Sequence, residues 1–143
     1  MAIADLKLII ETNILRRNQL QLDIASFQDQ KSLAVYAQGD AQSILSSEKA
    51  SIRSHFKDLY ENDPELQAKY TDYTEIAEYE EEIDKITAQM QDELERLAAW
   101  ETQLDAQIAT ASVELEEIKA YLDSLKSMYG ANINEDFDFG LGG

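Results

Sequence analysis

Residues 3–27 read IADLKLIIETNILRRNQLQLDIASF, and the spacing of the apolar side chains in this stretch decides the fold. Ile3, Leu6, Ile10, Asn13, Arg17, Leu20, Ile24 and Phe27 fall at alternating intervals of three and four. That is the seven-residue repeat by which one helix buries a stripe of side chains against another. Asn13 and Arg17 interrupt the stripe, and polar residues at such positions lower stability while setting register or partner number. A second set, Leu8, Leu15 and Leu22, recurs every seven residues on the side away from the first. A helix apolar on two sides has to be covered on two sides. One neighbour covers only one of them, so this helix requires two neighbours within the chain or an oligomer.

Outward from this stretch the pattern weakens at YAQGDAQS, residues 36–43. Gly39 there either ends the helix, with Asp40 capping the next one, or sits inside a continuous helix at a cost of about 1 kcal/mol. Residues 41–60 resume with Leu45, Ile52 and Leu59 at heptad spacing, flanked by Ile44 and Phe56. The strongest punctuation is YENDPELQ, residues 60–67, where Pro64 disfavours helix at Asp63 and suits the first turn of a new one. Asp72 or Thr74 offers a further cap.

From Ile76 a long repeat runs through Tyr79, Ile83, Ile86, Met90, Glu93, Leu97, Trp100 and Leu104. It continues at Ile108, Ala111, Leu115, Ile118, Leu122, Leu125 and Tyr129, with a stutter around Leu104. The turn at 62–64 divides the helical residues almost evenly. The expected fold is therefore all-α: a long antiparallel helical hairpin or coiled coil, or a three-helix bundle if the chain breaks at Gly39. Residues 1–129 form one elongated domain in this reading. Gly130 stands where a left-handed cap would end the last helix, leaving 130–143 as a flexible acidic tail.

The chain carries a net charge of −17. Residues 1–60 hold seven Lys or Arg against seven Asp or Glu, so the whole imbalance lies after Tyr60. Nucleic acid and anionic membranes are bound through clustered Lys and Arg, and neither is an expected partner. No stretch approaches the length of about 18 apolar residues that spans a membrane. MAIADLKLIIE carries Asp5 and Lys7 in too short an apolar run for a signal peptide, so a soluble, cytoplasmic protein is expected. There is no cysteine, which removes disulfides and thiolate chemistry.

The sequence holds no recognisable catalytic or metal-binding pattern. His55 is the single histidine and has Ile52 three residues before it, so no Glu-x-x-His di-iron pattern exists. Asp136, Asp138 and Gly140 do not make a calcium loop, because the glycine and the bidentate Glu that an EF-hand requires are missing. No phosphate-binding glycine loop and no nucleophile with a positioned base are present. The expectation is a non-enzymatic protein with no cofactor and no metal. Its function is structural: a coiled-coil assembly protein acting through protein–protein interaction, by self-association or with a helical or basic partner. The alternative is an adaptor or secretion-chaperone-like protein that binds an amphipathic or basic helix of a client. Leu8, Leu15 and Leu22 are the candidate interaction face, and Phe137 and Phe139 in NEDFDFGLGG are a candidate tail motif.

Overall fold

A computed structural model describes the backbone of residues 2–142 and the side chains of residues 2–131. The fold is all-α. Helix α1 spans Ile3–Asn62, α2 spans Pro64–Lys69, a 3-10 turn covers Tyr73–Glu75, and α3 spans Ala77–Gly142. The described residues contain no strand. The helices meet in two compact units, Met1–Gln30 with Gln103–Gly143, and Lys31–Thr102.

In the first unit the inner stripe of α1 is buried against α3. Leu6 and Ile10 pack with Leu122 and Leu125, with Ile14, Ile118 and Tyr129 at the edge. One step along, Leu20 packs with Ala111 and Leu115. As residue numbers rise along α1 they fall along α3, so the pair is antiparallel, the hairpin arrangement. Leu6, Leu104, Leu122 and Leu125 are the largest fully buried side chains. Each such leucine contributes about 1.5–3 kcal/mol relative to an exposed position. The interrupting Asn13 is only half-buried, and its side-chain amide donates to the Ile9 carbonyl 2.8 Å away, which gives its nitrogen a partner within α1.

The second unit is built around the turn. Asp63 caps α2 by accepting from the Glu65 amide at 2.9 Å, and Pro64 occupies the first turn, where its missing N–H is not needed. Asp72, not Thr74, caps the 3-10 turn, accepting from the Tyr73 amide at 2.8 Å. Two of the carbonyls that α1 leaves unpaired at its end are met by Gln67, whose Nε2 donates to Tyr60 and Glu61 at 2.9 and 3.0 Å. The Tyr60 hydroxyl reaches the Tyr70 and Thr71 carbonyls at 3.0 and 2.8 Å. Beneath the turn, Tyr79 meets Phe56 and Tyr73 edge to face at 5.6 and 5.4 Å. Ile76 is buried close by in sequence.

Several expectations are corrected. Gly39 does not break α1, which stays helical throughout, so the three-helix alternative does not arise. Between Phe27 and Leu45 the buried positions are Ala34 and Ala41, while Leu33, Val35 and Tyr36 are exposed. Leu59 and Ile44 also face outward, and Phe56 takes the buried place. On α3 the less exposed positions are Leu94 and Glu101 in place of Glu93 and Trp100. The intervals of four therefore fall in succession at Ile86, Met90 and Leu94, moving the stutter there from Leu104. Glu101 is tolerated at its place because Gln38 Nε2 donates to its carboxylate at 2.7 Å. Gly130 is not a left-handed cap: no glycine among the described residues has positive φ, and α3 continues past it.

Two outcomes follow for stability. A Cβ added at Gly39 meets nothing within 4 Å, so Gly39→Ala should raise stability by about 0.5–1 kcal/mol in chemical denaturation; a loss would show that this turn of α1 is not helical. Leu104→Ala, at a side chain only 1% exposed, should cost about 2–5 kcal/mol in the same assay.

Candidate functional site

The first unit leaves one face of α1 without a neighbour. Since α3 covers the side bearing Leu6, Ile10 and Leu20, the second leucine set points away from it. Leu8, Leu15 and Leu22 are 63%, 69% and 65% exposed. Scattered exposed leucines are ordinary, but three at a constant seven-residue interval form one line along a helix. The polar side chains around them bond within α1 itself. Thr12 Oγ1 donates to the Leu8 carbonyl at 2.9 Å, and Gln19 Nε2 donates to Asp23 at 2.8 Å. Asn18 Oδ1 accepts from Arg17 at 3.2 Å, and Ser26 Oγ accepts from Gln30 Nε2 at 3.2 Å. These bonds all lie within α1 and leave the apolar atoms of the leucines exposed.

Between α1 and α3 in the same unit, a shallow groove of about 390 Å³ is lined by Leu20 and Phe27 from α1 and Ala106 and Ala111 from α3, among others. One end is closed by Arg16, whose Nε and Nη2 donate to the same Glu114 oxygen at 3.0 and 2.7 Å. In the second unit a smaller depression, about 290 Å³, is lined by His55, Asp58, Leu59, Asn62 and Asp63. His55 is exposed and stands edge-on to Phe56 at 5.4 Å. Among the described residues no group of three or more His, Asp or Glu is gathered to hold a metal ion. No helix among them is long and apolar enough to cross a membrane.

Of the residues singled out from sequence, Leu8, Leu15 and Leu22 come together as one exposed face. The side chains of Phe137 and Phe139 lie outside the described residues. Other exposed apolar side chains escaped sequence reasoning. Val113, Tyr121 and Met128 are exposed on α3 in the first unit, and Leu33, Val35 and Tyr36 are exposed in the second. Tyr36 continues the seven-residue count from Leu22 through Asp29, a signal that was present but interrupted by the acid. Comparison of the chain with protein-family models, with curated proteins and with solved structures yields no match.

The Arg16–Glu114 pair spans the helices of the first unit with both side chains nearly half exposed. Its two contacts share one oxygen, and solvent screens it. Glu114→Gln should therefore lower stability by less than about 1 kcal/mol, with the difference from wild type shrinking in high salt. A larger, salt-independent loss in urea denaturation would show that the pair anchors the groove.

Proposed function

We propose that this chain is a non-enzymatic helical assembly protein that works by docking a helix of another chain on the outer face of α1. The carrying observation is the line of Leu8, Leu15 and Leu22, each about two-thirds exposed on a helix whose opposite face is already occupied. Covering such a leucine gains about 1–2 kcal/mol from the apolar area removed from water. Three in register define a narrow, directional seam, smaller than the interfaces of about 1,200–2,000 Å² that hold stable complexes. The association is accordingly reversible and concentration-dependent.

A second reading is an adaptor that receives a client's basic helix, favoured by the placement of the entire net charge of −17 after Tyr60. It uses the acidic surface of α3, whereas the assembly reading uses α1, and one variant separates them. Leu15→Asp places a charge in the middle of the leucine line without touching the inner stripe. It should abolish association in light scattering coupled to size exclusion, while circular dichroism keeps its helical signal. Association undiminished in Leu15→Asp would rule out the α1 face.

A further inference from the structure

We propose that the segment from Phe56 to Tyr79 is a clasp that closes first when the chain folds, and that α1 and α3 pair outward from it. The order follows from how far apart in sequence the contacting residues lie. Gln67 Nε2 donates to the Tyr60 carbonyl across seven residues, and the Tyr60 hydroxyl donates to the Tyr70 carbonyl across ten. The Thr71 amide donates to the Glu75 carboxylate at 3.1 Å, four residues on. Phe56, buried near the end of α1, meets Tyr79 at the start of α3, and Tyr79 meets Tyr73. Away from the turn the contacts are long-range: Gln38 to Glu101 spans 63 residues, and Arg16 to Glu114 spans 98. The chance that two parts of a flexible chain meet falls as about the 3/2 power of their separation. A contact across 98 residues therefore closes about thirtyfold less often than one across ten.

The early contacts also hold the chain in its native reversal. They tie the end of α1 to α2, to the 3-10 turn and to the start of α3, around a proline whose φ is fixed before folding begins. Gln67 occupies the Tyr60 and Glu61 carbonyls, which α1 has no further turn to pair. Once the clasp is closed, pairing of the two arms becomes a reaction within one chain, at an effective concentration in roughly the millimolar range. That advantage matters here, because each arm is a long helix with a heptad stripe, equally suited to pairing with another copy. Closing the turn first selects the antiparallel pairing of Leu6 and Ile10 with Leu122 and Leu125 over pairings between chains. The clasp acts in this way whether or not the outer face of α1 is occupied.

Refolding and unfolding rates of the full chain, measured by stopped flow in urea, test the order. Tyr60→Phe/Gln67→Ala removes the side-chain bonds across the turn and leaves the packing around Leu6 and Leu122 untouched. It should slow folding about fivefold or more, with the unfolding rate changed less than about twofold. Leu6→Ala and Leu122→Ala should do the reverse, speeding unfolding about thirtyfold or more and leaving the folding rate within about twofold. Where a leucine variant does not fold, Ile10→Val puts the same question with a smaller loss. Wild-type folding should be first-order, at a rate independent of protein concentration. A clasp variant whose loss falls on unfolding alone, or leucine variants that slow folding as much as they speed unfolding, would overturn the proposal. So would wild-type folding that quickens with concentration, since copies would then be meeting before the clasp closes.

Discussion

Leu6 and Ile10 against Leu122 and Leu125, and Leu20 against Ala111 and Leu115, are the contacts on which the first unit depends. They hold α3 to one side of α1, and a helix has room for only one neighbour on that side. Everything else about the candidate function is a consequence of that constraint. Because α3 is committed to the inner stripe, it cannot also cover Leu8, Leu15 and Leu22. No other segment among the described residues of the first unit covers them either. The exposed line is thus produced by the same packing that stabilises the fold.

How far the fold was legible depends on how strongly each residue speaks. Leu and Ile at spacings of three and four announced the inner stripe of α1, and Pro64 after Asp63 announced the turn, because both signals are steric and local. Ala34 and Ala41 escaped notice: alanine adds little hydrophobicity, yet it occupies buried positions of α1 where the larger Leu33 and Tyr36 do not. Trp100 claimed a seam position by its spacing from Leu97 and Leu104. The more sheltered place belongs to Glu101, a choice that depends on Gln38 reaching across from the other helix and so cannot be read from either segment by itself. Gly39 left two readings open and Gly130 misled, for a related reason. A glycine's helix penalty of about 1 kcal/mol is small beside the summed stabilisation of a long helix, and with no positive φ required, neither glycine ends one.

The candidate face was legible as three leucines but not as a surface. Sequence shows that Leu8, Leu15 and Leu22 share a side; only the packing of α3 shows that this side is open. The charge distribution adds a second layer. A chain with this net charge repels its copies over most of its surface, and the balanced first 60 residues contain the place where that repulsion is weakest. The exposed leucine line thus lies in the electrically balanced part of the chain.

Leucine methyl NMR, recorded over a dilution series, tests the two-sided character of α1 most directly, since it reads each leucine separately. The account predicts that the methyl resonances of Leu8, Leu15 and Leu22 shift with concentration while those of Leu6, Leu20 and Leu122 stay in place. Shifts confined to other leucines, or no concentration dependence at any leucine, would contradict it.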